Sequence, residues 1–217
     1  MRSWRPPCVS TESVMARLFR AVVVGVSTGG VNALQKLLGQ LPADFRLPIL
    51  IVQHIGPEAG SGLAKLLDDR CALRVKEADE QDEVLPGTVY LAPPNYHLLV
   101  EQGGFLSLSE DPHVSFARPS VDVLFESAAE VFGAELVGIV LTGANFDGSR
   151  GLKTIKQKGG VAIVQDPADA EASQMPQAAM AATDVDYVVA LDGMAALLQN
   201  LAPGRAARQH KERGRNG

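Results

Sequence analysis

Apolar positions along this chain follow two patterns. Unbroken apolar runs alternate with stretches in which apolar residues return every three or four positions. The runs are Ala21–Val26 (AVVVGV), Pro48–Gln53 (PILIVQ), Glu135–Leu141 (ELVGIVL), Val161–Gln165 (VAIVQ) and the shorter Tyr187–Ala190. Strands covered on both faces read in this way. Between them, Val31–Leu41 sets Leu34, Leu37, Leu38 and Leu41 on one helical face, and residues 60–69 do the same with Leu63, Leu66 and Leu67. Further helices are predicted over Ser120–Phe132, Ser149–Lys158 (stopped by Gly159-Gly160), Pro176–Ala182 and Gly193–Leu201. Residues 73–109 differ. Thr88–Leu91, His97–Val100 and Phe105–Leu108 are short alternating runs separated by Pro86-Gly87, Pro93-Pro94 and Gly103-Gly104, which predicts antiparallel hairpin strands at an edge. The expectation is an α/β fold: a doubly wound, mainly parallel sheet, with helices on both faces and an antiparallel hairpin region at one edge.

Composition agrees with one core. The chain has 217 residues, 46% of them hydrophobic and only 5% aromatic, enough for a single sizeable domain. One domain is expected over residues 20–201, with an N-terminal extension (1–19) and a basic tail (202–217) expected to be disordered. Charge is uneven. Of the net −5, residues 1–20 contribute +3 and residues 203–217 contribute +4, which leaves −12 on the body between them. An acidic body argues against nucleic acid as a partner. No apolar run approaches the ~20 residues that cross a bilayer, so no membrane insertion is expected. Cys8 and Cys71 form no disulfide framework and have no metal-ligand spacing, which suits a reducing, cytoplasmic setting with no metal.

In an open parallel sheet the working crevice lies beyond the carboxyl ends of the strands. Three polar groups emerge there. The first strand runs into Ser27-Thr28-Gly29-Gly30, the second into Gln53-His54, and the ELVGIVL strand into Thr142-Gly143-Ala144-Asn145-Phe146-Asp147-Gly148. A serine needs a base to remove its proton, histidine does that near neutrality, and a carboxylate fixes the useful tautomer. Each residue also has a plainer reading: a helix cap for Ser27, a structural histidine for His54, and a turn residue in Asp147-Gly148. The G-x-S-x-G elbow is missing, and the order Ser, His, Asp is not that of the α/β-hydrolases. A nucleotide-binding turn is a weaker alternative, since neither G-x-G-x-x-G spacing nor a P-loop lysine is present.

The segments GVSTGG (25–30), VQHIGP (52–57), VLPGTVYLAPPNYH (84–97), RPSVDVLFESAA (118–129), GIVLTGANFDGSRGL (138–152) and QDPADAEASQMPQAAM (165–180) occur in one order. Together, over about residues 20–201, they resemble the catalytic domain of the chemotaxis protein-glutamate methylesterases, the CheB family. The resemblance implies a serine hydrolase that removes methyl esters from glutamate side chains of chemoreceptors, with receptor glutamine deamidation as a second activity. It implies Ser27 as nucleophile, His54 as base and Asp147 as the third member, with no metal and no organic cofactor. Gly25, Gly29 and Gly30 are expected to let backbone approach substrate. Thr28, Gly29, Gly30 and Ala144 are the expected substrate and oxyanion contacts, with backbone N–H groups near His54 and Ala144 the candidate donors. Thr28 is also a candidate cap for the next helix. The implied partners are methylated chemoreceptor cytoplasmic helices. Twenty residues are too few for the receiver domain that family members usually carry, so a free-standing enzyme is expected, with three alternatives open: constitutive activity, control by a separate regulatory protein, or service in a pathway other than chemotaxis. Ala144 and Asn145 depart from the common T-G-M-G-x-D-G pattern. That departure keeps a second class of function in view: a non-catalytic signalling partner that binds receptor helices.

Overall fold

The structure is a computed structural model, and it describes residues 18–54 and 62–202. In chain order the elements are β1 (Ala21–Val26), α1 (Gly30–Gly39), β2 (Ile49–Gln53), α2 (Gly62–Asp68), β3 (Arg74–Glu77), β4 (Thr88–Leu91), β5 (His97–Glu101) and β6 (Phe105–Ser109). They continue with α3 (Val121–Phe132), a 3₁₀ turn (Gly133–Glu135), β7 (Leu136–Val140), α4 (Ser149–Gln157), β8 (Val161–Gln165), α5 (Gln174–Ala182), β9 (Tyr187–Val189) and α6 (Leu191–Leu201). Residues 1–17 and 203–217, most of both expected terminal segments, lie outside the described residues, as do residues 60 and 61 at the start of the expected second helix.

Seven parallel strands form the main sheet in the order β3-β4-β2-β1-β7-β8-β9. The α/β reading therefore holds. Every residue of β1, β2, β7 and β8 is buried, which is why these strands read as unbroken apolar runs. The pleat sends alternate side chains to opposite faces. Val22, Val24 and Val26 join Leu34, Leu37, Leu67, Met194 and Leu198 in one core, beneath α1, α2 and α6. Ala21 and Val23 join Leu98, Leu106, Leu124, Phe125, Leu152 and Ala179 in the other, beneath α3, α4, α5 and the β5–β6 hairpin.

The region 73–109 departs from expectation in detail. Thr88–Leu91 lies inside the main sheet, parallel to β2 and β3. Only β5 and β6 are antiparallel, and they form a separate two-stranded sheet packed into the second core through Leu98, Val100 and Leu106. A four-residue run carries too few positions to distinguish alternation from full burial, and all four residues of β4 are buried. Strand β3, RVKE, has one buried residue and carries no hydrophobic signal. It is an edge strand, held by its ladder to β4.

From β1 the chain moves to β2 on one side and returns to β7 on the other. The sheet's switch point, where a crevice opens beyond the carboxyl ends, is thus at β1. Ser27 follows β1, His54 follows β2, and Asp147 lies on the loop after β7.

Candidate active site

The Ser27 and His54 backbones are joined to their neighbours by the sheet. The His54 N–H donates to the Val26 carbonyl at 3.0 Å, and the Ser27 N–H to the Thr142 carbonyl at 2.9 Å. Gln53, buried, donates from its side-chain Nε2 to the carbonyls of both Ser27 and His54, each at 2.9 Å. One amide thus ties the two strand ends together, although its own Oε1 has no partner among the described residues. The glutamine sits in the VQH segment. Nothing in the sequence distinguishes it there from a last strand residue.

Helix α1 is capped by Gly29 at φ 77°, and no side chain caps it. Neither Ser27 nor Thr28 does the job that would explain two hydroxyls ahead of a helix. Ser27 is half-buried, and among the described residues its hydroxyl has no hydrogen-bond partner. Thr28 is exposed, and its carbonyl accepts a bond from the Thr142 hydroxyl at 2.8 Å. The space beside Gly25 and Gly30 is taken by protein rather than open to substrate. A Cβ on Gly25 would meet Val121 Cγ1 at 2.2 Å, and one on Gly30 would meet Gln53 Oε1 at 1.9 Å. The Gly30 N–H closes the turn onto the Ser27 carbonyl at 2.8 Å. Among the described residues the N–H groups of Thr28, Gly29 and Ala144 have no partner, and neither do those of Asn145 and Phe146. The His54 N–H is used in the sheet, and the residues that follow it lie outside the described set.

Asp147 has no exposed surface and accepts four hydrogen bonds. Its Oδ1 takes the Ser120 hydroxyl at 2.9 Å and the Asp122 N–H at 3.0 Å. Its Oδ2 takes the Val121 N–H at 2.7 Å and His54 Nε2 at 2.8 Å. Three of these donors are the N-cap and first two residues of α3. A carboxylate therefore sits on a helix N-terminus, where free N–H groups and the helix dipole favour an anion. Burial alone would push the Asp147 carboxyl up. The bonds from His54, Asp122 and Val121 outweigh it and hold the carboxyl below its ordinary value. An ionised Asp147 can only accept, so His54 Nε2 carries the proton of that bond.

The other ring nitrogen is also engaged. Nδ1 of His54 lies 3.0 Å from the Asn145 amide nitrogen, and Asn145 Oδ1 accepts the Asp147 N–H at 3.0 Å. Asn145 has no positive φ; the left-handed residue of this loop is Gly148, at φ 94°. The departure from glycine at 145 therefore costs no backbone strain. Opposite Ser27, Gly143 permits close approach: a Cβ there would lie 2.0 Å from Met175 Sδ and 2.9 Å from Ser27 Cβ.

Asp122 is buried one residue into α3 and accepts the Gly148 and Gly151 N–H groups at 2.9 and 2.8 Å. Desolvation raises its carboxyl to about 6 with help from the Asp147 charge, against the Gly151 bond and Arg150. His97, buried, lies between the Ser120 N–H and the Pro112 carbonyl and is a structural histidine. Among the described residues no three His, Cys, Asp or Glu side chains gather as a metal site.

The structure thus gathers Ser27, His54, Asp147 and Ala144 at one sheet edge. It adds Gln53, Ser120, Val121, Asp122 and Asn145, to which sequence reasoning gave no role in the site. The one legible signal was Asn145, a side chain where the resembling segment commonly has none.

The family model of the CheB methylesterase matches residues 22–198. A putative protein-glutamate methylesterase/protein-glutamine glutaminase of Leptospira interrogans is 50% identical over 183 residues, which is 84% of this chain and 95% of that protein. A protein-glutamate methylesterase/protein-glutamine glutaminase of Nitratidesulfovibrio vulgaris is 45% identical over 82% of this chain, but the match spans only 50% of that longer relative. Among solved structures, the Thermotoga maritima CheB methylesterase catalytic domain superposes with a TM-score of 0.82 at 34% identity, covering 86% of this chain and all of that one.

Proposed function

Because the chain belongs to the CheB methylesterase family, we propose that it is a serine hydrolase acting on glutamate methyl esters of chemoreceptors. Ser27 is the nucleophile, His54 the base and Asp147 the group that orients the base. The observation that carries this reading is the His54–Asp147 pair. A buried carboxylate holding three helix donors and one imidazole nitrogen is more than a turn residue needs.

With Nε2 committed to Asp147, Nδ1 is the nitrogen that takes the Ser27 proton. As it does so, Ser27 Oγ bonds to the ester carbonyl carbon and the carbonyl π pair moves onto oxygen. The N–H groups of Thr28, Gly29 and Ala144 are the donors for that oxyanion. The tetrahedral adduct collapses, the bond to methoxide breaks, and Nδ1 returns the proton so that methanol leaves. Water, deprotonated at the same nitrogen, then splits the acyl-enzyme and frees a glutamate. The same steps with an amide substrate release ammonia, as the glutaminase in the relatives' names implies.

The acidic body and the absence, among the described residues, of a helix long and apolar enough to cross a membrane support action on the cytoplasmic helices of a receptor. A separate protein is the proposed regulator. Methanol release from methylated receptor cytoplasmic fragments tests the reading. The parent is expected to release methanol, and a folded Ser27→Ala variant none above background. Equal release by both would remove Ser27 as nucleophile. No release by either would favour a partner that binds receptor helices without turning them over.

A further inference from the structure

Three hydrogen bonds run in series through this site, and each fixes the next. The Asp147 backbone N–H can only donate, so Asn145 must turn its Oδ1 toward it and its NH₂ toward His54. An NH₂ group can only donate, so Nδ1 must be bare. The ionised Asp147 carboxylate can only accept, so the ring proton sits on Nε2. Asn145 therefore selects the tautomer that general-base attack requires. The same geometry opposes the next step: once Nδ1 takes a proton, its N–H points at an amide N–H.

On the reading of Ser27 and His54 as nucleophile and base, we infer that Asn145 is a positioning residue that closes the base. It holds His54 in the reactive tautomer while occupying the nitrogen that must receive the Ser27 proton. Turnover requires its amide to leave Nδ1. Its setting permits this: Asn145 is half-buried between exposed Ala144 and Phe146, with Phe146 55% exposed, so the side chain is on a loop with room on its outer side. The Ser27 hydroxyl, without a partner among the described residues, fits a resting state in which the amide, and not the serine, holds the base.

Among the described residues, the charged groups that face the ring or its partner are Asp147 on Nε2, with Asp122 and Arg150 behind Asp147; Glu171 packs against Gly29 at the end of β1. Substitution at 145 alters none of them. The test uses the full chain and a fluorophosphonate that labels reactive serines, with labelling rates followed from pH 5 to 8. Removing the amide in Asn145→Ala should raise the labelling rate at pH 8 about fivefold, the scale of one hydrogen bond. It should also move the acid limb of the profile to higher pH, because the protonated ring no longer meets a donor. In Asn145→Asp a carboxylate at Nδ1 favours the protonated ring, so the limb should move up further than in Asn145→Ala and labelling at pH 7 should fall.

An Asn145→Ala profile that coincides with the parent's overturns the inference, and so does a slower rate with the limb unmoved. Long-range ¹H–¹⁵N spectra of the parent give a second measurement that needs no variant. A proton on His54 Nε2 is expected above the acid limb, and a proton on Nδ1 overturns the inference. A parent unlabelled at Ser27 at every pH removes the serine–histidine reading itself, and this inference with it.

Discussion

Asp147 is the residue on which the site's chemistry converges, because its two oxygens hold four donors from two directions. Replacing it with asparagine keeps the size and removes the charge. Whichever oxygen becomes the amide, two of the four donors then face N–H groups, and the imidazole loses the negative charge that favours its Nε2–H tautomer and stabilises the protonated ring. The kcat of Asp147→Asn should fall by about 10³–10⁴-fold, with a stability loss of about 1–3 kcal/mol for each donor left unpaired inside. Methanol release and thermal unfolding measure the two effects separately. A variant that lost stability and kept its rate would make Asp147 a structural anchor alone. The sequence places Ser27, His54 and Asp147 at strand ends, because apolar runs mark where strands stop. It could not disclose the donors to Asp147, since Ser120 ahead of an apolar run reads as an ordinary helix cap. Its hydroxyl instead reaches across to another loop, a contact between residues 27 positions apart.

At the scale of elements, helix α3 serves both the core and the site. Its inner face buries Leu124, Phe125 and Ala128, while its first N–H groups receive the carboxylate. The periodicity of residues 120–132 discloses the first role and is silent on the second. The same limit explains β3 and β4: ladder bonds hold RVKE at the sheet edge, and no apolar pattern records them. Val121 allows the helix terminus to be tested without breaking the helix. It is the first residue of α3, where proline is tolerated, and Ser120 before it is already extended, at φ −108° and ψ 137°, as a residue preceding proline must be. Val121→Pro deletes one charge-assisted donor to Asp147, worth about 1.5–3 kcal/mol, so kcat should fall about 10- to 100-fold with helical circular dichroism retained. Val121→Ala keeps the N–H and loses only packing against Gly25 and Gly148. It should therefore lower stability and leave kcat within about threefold. Equal kcat losses in the two variants would assign the effect to packing.

Across the whole molecule, two buried carboxylates at the α3 terminus act on stability in opposite directions. Asp147 is held below its ordinary value, so its contribution is complete above the unfolded value near 3.9 and is lost as pH falls through the folded one. Asp122 is raised to about 6. Between about pH 4 and 6 the folded chain therefore binds a proton that the unfolded chain has released, and stability drains away as pH rises through that window. Two pH units set a ceiling of about 3 kcal/mol on this loss. Asp122→Asn retains an oxygen for the Gly148 and Gly151 N–H groups and removes the charge. Its amide then faces Arg150, whose Nε lies 3.9 Å from the present carboxylate, and that contact takes back part of the gain. The variant should be more stable than the parent by about 1–2 kcal/mol at pH 7.5 and indistinguishable from it, or slightly weaker, at pH 4. Urea unfolding of both proteins at pH 4, 5, 6 and 7.5 measures the difference directly. A gain that widens with pH locates the stored cost in the Asp122 charge. A constant offset across the four pH values would mean that Asp122 is already ionised without penalty in the fold.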